Sequence, residues 1–266
     1  MDLRLSGRRA LVTGSSSGLG EAIAMLLAQE GASIVAHGRD ARRVANVVNT
    51  IGAIGGKADQ ALGDLSSDAG ADAVCEQALA GGLIDILINN AGYYGSRSWA
   101  DTPEDEWLAS YNANVVSGVR MIKRLVPAMR ERGWGRVIQI GGGLAQQPMA
   151  SQPEYNATLA ARHNLAVSLA RDLKGSGVTS NIVSPGAIRV GAVEKVLTVA
   201  SKRFGWGEDW NDIERGACLD MIPNDIGRLG RPEEIAGAVA YLASSYADYV
   251  SGAMIRVDGG LNRSIP

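Results

Sequence analysis

Cysteine and histidine are scarce in this 266-residue chain, with two of each. Cys75 and Cys218 lie far apart without Cys-x-x-Cys spacing, which suits structural thiols in a reducing compartment rather than a disulfide framework. His37 and His163 are equally isolated, so no cluster of metal ligands can be drawn from the sequence. A Gly-x-Ser-x-Gly nucleophile elbow is missing as well. No basic run of five or more occurs, and the formal net charge is −2 with a pI of about 5.8, which argues against a nucleic-acid footprint. No apolar run approaches the ~18–20 residues that span a bilayer. Met1-Asp2-Leu3-Arg4-Leu5 lacks the apolar core of a signal peptide. The expectation is a cytoplasmic protein that meets a small molecule, with neither a membrane nor a nucleic acid as partner.

What is present is an ordinary globular composition, 46% hydrophobic and 20% charged, in a chain long enough for one α/β domain over 1–266. Short apolar runs at 9–13, 32–37, 58–62, 84–88, 136–140, 178–183 and 253–257 read as strands. Amphipathic stretches at 19–30, 41–51, 66–79, 152–174 and 232–244 read as helices between them. Another helix has its start marked by Thr102 as cap, Pro103 in the first turn and acidic residues 104–106. This alternation predicts a Rossmann-type doubly wound parallel sheet with helices on both faces. Residues 187 to about 230 break the rhythm with Phe204, Trp206, Trp210, several glycines and no strand. They read either as a lid over a site or as a surface excursion packed on the domain.

Thr13-Gly14-Ser15-Ser16-Ser17-Gly18-Leu19-Gly20 joins the first strand to the first helix. Glycines there permit a tight turn and close approach of backbone to a pyrophosphate, and the helix start offers unpaired N–H groups to it. The spacing resembles that of the short-chain dehydrogenase/reductase family, and the resemblance continues along nearly the whole chain. Asn89-Asn90-Ala91-Gly92 is similar to the family's motif after strand four, and Asp64-Leu65 to its adenine-side acid. Asn114 matches the helix asparagine that holds a water in the proton path. Pro185-Gly186 resembles the turn beneath nicotinamide, and Arg256-Val-Asp-Gly-Gly260 the carboxy-terminal signature. The resemblance implies a nicotinamide cofactor on Gly14, Ser16, Ser17, Gly18, Leu19, Gly20, Asp64, Leu65, Asn90, Ala91, Gly92, Tyr155, Pro185 and Gly186. It also implies a homo-oligomer, dimer or tetramer.

Relatives that prefer NAD carry an acid at the end of strand two. Gly38 stands there, between His37 and Arg39. A guanidinium can grip a 2′-phosphate that an acid would repel, so NADP(H) is expected through Arg39, with NAD(H) as the alternative. Arg42 and Arg43 either add positive potential or form a solvated helix face.

The catalytic end departs from the family's Ser, Tyr and Lys. Tyr155 is the tyrosine, but Leu159 stands four residues later in place of lysine, and Gly142 stands thirteen residues earlier in place of serine. Val190 replaces the threonine after Pro185-Gly186. Tyr155 and Asn114 are therefore the expected catalytic residues of an incomplete tetrad. Gly141-Gly142-Gly143 reads either as backbone donors to an oxyanion or as a flexible loop. Arg162 and His163 share a helical face with Tyr155 and Leu159, as stand-ins for the lysine or as interface residues. Gln139, Gln146, Gln147 and Gln152 bracket the loop and tyrosine; Tyr93, Tyr94 and Trp99 either floor an apolar pocket or pack elsewhere. Ser151 reads as a helix-start residue. The expected activity is reduction of a small carbonyl or oxidation of its alcohol, with the aromatic residues pointing to a hydrophobic substrate. The alternatives are a silenced cofactor-binding protein and a non-redox enzyme on the same scaffold.

Overall fold

A computed structural model describes residues 2–95 and 97–264; positions 1, 96, 265 and 266 of the expected 1–266 domain lie outside the described residues. Seven strands form one sheet: β1 (Arg9–Val12), β2 (Ser33–Gly38), β3 (Lys57–Leu62), β4 (Ile86–Asn89), β5 (Gly135–Ile140), β6 (Val178–Pro185) and β7 (Met254–Val257). Their order is β3-β2-β1-β4-β5-β6-β7, with every pair parallel. The order reverses between β1 and β4. Loops leaving the carboxyl ends of these two strands diverge there and open the crevice where such sheets bind ligands.

The central strands are buried on both faces, which is why they read as continuous apolar runs. Alternate residues serve opposite layers. Val12, Ile34, Ile88 and Ile138 pack against Ile23 and Leu27 of α1 (Gly18–Gln29), Val44 and Val47 of α2 (Ala41–Ala53), and Ile235 and Val239 of α9 (Pro232–Ala243). Their neighbours Leu11, Val35, Leu87 and Val137 face the other way. They meet Val74 of α3 (Asp68–Ala80) and Met121 and Leu125 of α5 (Ser117–Glu131). The doubly wound architecture expected from the alternation is the one observed.

Two local findings bear on the site. Helix α4 (Glu104–Tyr111) runs into α5 through a π turn at Asn112–Val116, where Ser117 N–H donates to Asn112 O. One extra residue in the turn re-aims the side chains there, a feature common at functional positions. At the start of α4 the cap is Pro103 rather than Thr102, because the Thr102 hydroxyl donates to Ser98 O at 2.6 Å and is spent on that loop.

Residues 187–230 are more ordered than a strandless loop. They build α7 (Gly191–Phe204) and α8 (Trp210–Asp220) around a small core of Leu197, Ile213, Ala217 and Leu229. Trp206 and Trp210 pack on that core, and the Phe204 ring stacks on Trp206 with centroids 5.0 Å apart. Ile188 bridges Gly230, closing the excursion at its base. Both cysteines are free and buried. Among the described residues no helix is long and apolar enough to cross a membrane, and no His, Cys, Asp and Glu cluster could hold a metal ion.

Candidate active site

The remaining long helix, α6 (Pro153–Asp172), carries the expected tyrosine, and the glycine-rich turn joins β1 to α1. That turn is shaped by contacts only glycine permits. Gly14 has φ +65°, and a Cβ on it would lie 2.9 Å from Ala91 Cα. A Cβ on Gly20 would lie 2.6 Å from Asn90 Nδ2. The amides of Gly18, Leu19 and Gly20 open α1 and lack intrahelical partners, as at every helix start. Ser17 is the N-cap and makes no side-chain cap bond. His37 fastens the turn from beneath: Nδ1 accepts from Gly14 N–H at 3.0 Å, and Nε2 faces Gly63 O at 3.1 Å. This geometry selects the tautomer protonated at Nε2. Burial holds the His37 pKa below its ordinary value.

The motif after β4 serves the same turn. Asn90 donates through Nδ2 to Thr13 O at 2.9 Å and Gly14 O at 3.1 Å. The Thr13 hydroxyl accepts from the Asn90 and Ala91 amides, both at 3.0 Å, and donates to Ile88 O. Thr13 thus joins the ends of β1 and β4, a role the sequence reading did not assign, although this residue opens the glycine motif.

At the end of β2 a Cβ on Gly38 would lie 2.8 Å from Val44 Cγ2 and 3.1 Å from Ser16 Oγ. An acidic side chain has no room there without movement of α2 or the turn. Arg39 extends into solvent with 79% of its side chain exposed, its Nη1 3.9 Å from Asp64 Oδ2. Asp64 accepts from the Ser66 hydroxyl and amide, and these bonds hold its carboxyl below the usual range. Leu65 is buried among α3 and α5 side chains, so it shapes the wall rather than lining it.

Tyr155 lies in the first turn of α6 with its ring 5.7 Å from that of Tyr94. Burial raises its pKa, opposed by the nearby Arg162 charge. Asn114 is buried at the π turn. Its Oδ1 accepts from Tyr93 N–H at 2.6 Å, and its Nδ2 donates to Tyr93 O at 2.8 Å and Thr158 Oγ1 at 3.0 Å. The asparagine side chain therefore fixes the loop that carries Tyr94. Leu159 is 2% exposed, and a Cβ on Gly142 would lie 3.0 Å from its Cδ1. The guanidinium of Arg162 donates to the carbonyls of Asn114, Ile140 and Ala91. His163 is half-buried and packs against Gly141, and the burial it has lowers its pKa.

Other candidates separate clearly. Gln152 donates to Gly95 O at 2.6 Å and Gln147 accepts from Arg263 N–H, so these two tie loops together. Gln139 is buried beside Gly118. Trp99 pairs with Trp107, rings 5.3 Å apart, and Ser151 is exposed. Pro185-Gly186 ends β6 beside Asp258, and a Cβ on Gly18 would lie 3.6 Å from Val190 Cγ1, which brings the start of α7 to the glycine turn. Asn262 packs on Gly143, a contact that no feature of the sequence announced.

Comparison with known proteins matches residues 8–199 to the short chain dehydrogenase family. Over its whole length the chain is 36% identical to the whole of an uncharacterized oxidoreductase of Bacillus subtilis, YvaG. It is 34% identical to the 3-oxoacyl-[acyl-carrier-protein] reductase FabG of Vibrio harveyi, covering 97% of this chain and 99% of that protein. Among solved structures, L-sorbose reductase of Gluconobacter frateurii, complexed with NADPH and L-sorbose, superposes with a TM-score of 0.93 at 32% identity, each chain covered completely.

Proposed function

Since the chain belongs to the short chain dehydrogenase family, we propose that it is an NADP(H)-dependent oxidoreductase interconverting a small carbonyl compound and its alcohol. One observation carries this reading. Asn90 bonds to Thr13 and Gly14 while its neighbour Ala91 receives Arg162 of the helix bearing Tyr155, so the glycine cradle and that helix are both fastened to the loop at the carboxyl end of β4.

The residues present fit the cofactor. Gly14 and Gly20 keep the backbone open to a diphosphate, with Ser16, Ser17, Gly18 and Leu19 completing the cradle and its amides. Filling of the Gly38 position by Ser16 and Val44, beside the solvent-exposed guanidinium of Arg39, favours a 2′-phosphate over a bare ribose. Asp64, Asn90, Ala91, Gly92, Pro185 and Gly186 complete its binding site, with Leu65 shaping the wall behind them. When bound, the nicotinamide supplies or accepts the hydride.

Tyr155 delivers or takes the proton at its phenolic oxygen, and Asn114 holds the loop that walls the substrate space. In place of a serine hydroxyl, the N–H groups of Gly142 and Gly143 are available to polarise the carbonyl, since no described residue accepts from them. Tyr94 offers an aromatic wall to a compact substrate. The bound L-sorbose of the Gluconobacter relative makes ketoses a sensible part of any substrate panel. Helices α7 and α8 act as the lid. The remaining parts of the reading are a cytoplasmic homo-oligomer, dimer or tetramer, for which exposed Leu108 and Tyr111 of α4 offer contact surface.

Absorbance at the nicotinamide band, followed across ketones, ketoses and alcohols, is the direct test. Turnover with NADPH on any of them supports the reading, and silence throughout at high protein concentration overturns it. A second reading, a binder without turnover, is favoured by the apolar Leu159 and by the raised pKa of Tyr155. Calorimetry showing NADPH binding beside silent assays supports that one.

A further inference from the structure

Arg162 follows Leu159 by one helical turn and Tyr155 by two, and is 5% exposed. Its Nε donates to Asn114 O, Nη1 to Ile140 O at 2.6 Å and Nη2 to Ala91 O. These three carbonyls belong to the π turn, the end of β5 and the loop after β4. Among the described residues Arg162 forms no ion pair. A buried guanidinium ordinarily faces a carboxylate, because a charge taken out of water needs compensation. Carbonyl dipoles satisfy its donors but leave the unit charge in place, and burial lowers its pKa to about 10.

An uncompensated charge in a low-dielectric pocket acts on the nearest group able to change its own charge. On this helix that group is Tyr155; from the loop after β4 the titratable side chain facing the phenol is Tyr94. Position 159 supplies no cation, being a leucine packed on Gly142.

We propose that Arg162 is a positioning residue that supplies the positive charge facing Tyr155, and so replaces, from one turn further along α6, the lysine missing at Leu159. It does this while clamping the strand ends that frame the phenol, and it needs no contact with substrate. The catalytic meaning of this role rests on Tyr155 being the proton donor; the electrostatic role does not.

The test therefore reads ionisation rather than turnover. Tyrosine labelled with 13C at Cζ is titrated by NMR in the full chain, with Tyr155→Phe identifying the signal. Arg162→Gln keeps hydrogen-bond donors and removes the charge; Arg162→Lys keeps the charge with a different donor pattern. An opposite charge at this range moves a pKa by about one unit or more. The ionisation constant of Tyr155 should fall about tenfold in Arg162→Gln and stay within about threefold in Arg162→Lys. The double variant Arg162→Gln with Leu159→Lys should recover the wild-type titration. An unchanged constant in Arg162→Gln overturns the proposal, as does an equal fall in both single variants, which would mark a purely structural clamp. If Arg162→Gln does not fold, Arg162→Lys decides, and a tenfold fall there is fatal. Where a substrate is turned over, the pH profile of kcat should move with the titration. A normal titration response beside silent assays would leave Arg162 in its role and remove only the oxidoreductase reading.

Discussion

Leu159 occupies the space that a side chain at residue 142 would need: a Cβ there would lie 3.0 Å from Leu159 Cδ1. The two positions proposed to stand where the family carries its serine and lysine are thus one packing arrangement. Gly142 has φ −179°, extended backbone open to any residue, so the obstacle to a serine is the leucine alone. Gly142→Ser should destabilise by about 1 kcal/mol through overpacking. Leu159→Ala should relieve that cost in the double variant, giving a coupling of about 0.5 kcal/mol or more in denaturant melts. Additive effects would show that the two positions are independent. Gly142→Ser with Leu159→Lys should raise kcat/KM on any accepted substrate.

Arg39 should discriminate between cofactors. It projects from the end of β2 with most of its side chain in water, where its guanidinium meets a 2′-phosphate without prior desolvation. Arg39→Gln should weaken NADPH binding about tenfold, or about 1.4 kcal/mol, and leave NADH within about threefold. Calorimetry with both dinucleotides measures this. Equal losses would assign Arg39 to general electrostatics rather than to the phosphate.

Acid should weaken the fold through its histidines. Burial lowers the pKa of both His37 and His163 from 6.5, and His37 must accept from Gly14 N–H at Nδ1. Unfolded histidines take up protons near 6.5, folded ones only at lower pH, so between those values the unfolded chain binds more protons. Stability from these two groups should be full above pH 6.5 and fall as pH drops through that window. A series of thermal melts from pH 8 to 5 checks the direction, and His37→Gln should flatten part of the slope. A Tm that rises on acidification across this range would contradict the assignment.

Much of this architecture was legible because the signals are local. Leu11 and Val12, and likewise Leu87 and Ile88, serve opposite layers, so buried strands announce themselves as uninterrupted apolar runs. The glycine turn was legible too, since Gly14 and Gly20 are demanded by backbone contacts. What escaped depends on long-range geometry. The clamp made by Arg162 joins residues 48, 22 and 71 positions away, and nothing in helical periodicity points to those carbonyls. The π turn at Asn112–Val116 looks like any helix in composition, and Asn262 reaches Gly143 only because the chain end folds back over the site. In 187–230 the glycines and tryptophans suggested a loop, whereas Trp206 and Trp210 are consumed by the core of α7 and α8.

That core makes the lid testable. Leu197, Ile213, Ala217 and Leu229 form a cluster separate from the two that hold the sheet, so α7 and α8 can open without unfolding it. Val190, the N-cap of α7, approaches Gly18 of the cofactor cradle. A dinucleotide bound on the cradle therefore meets the start of the lid and should hold it closed. Hydrogen exchange should show amides of Gly191–Phe204 exchanging faster than those of β1, β4 and β5 in the free protein, and slowing at least severalfold with saturating NADPH. Leu197→Ala, which removes a buried side chain at a cost of about 2–5 kcal/mol to that unit, should speed this exchange and leave the sheet amides protected. If NADPH slowed the sheet and the lid by the same factor, α7 and α8 would be part of one cooperative body and the gating role would be lost.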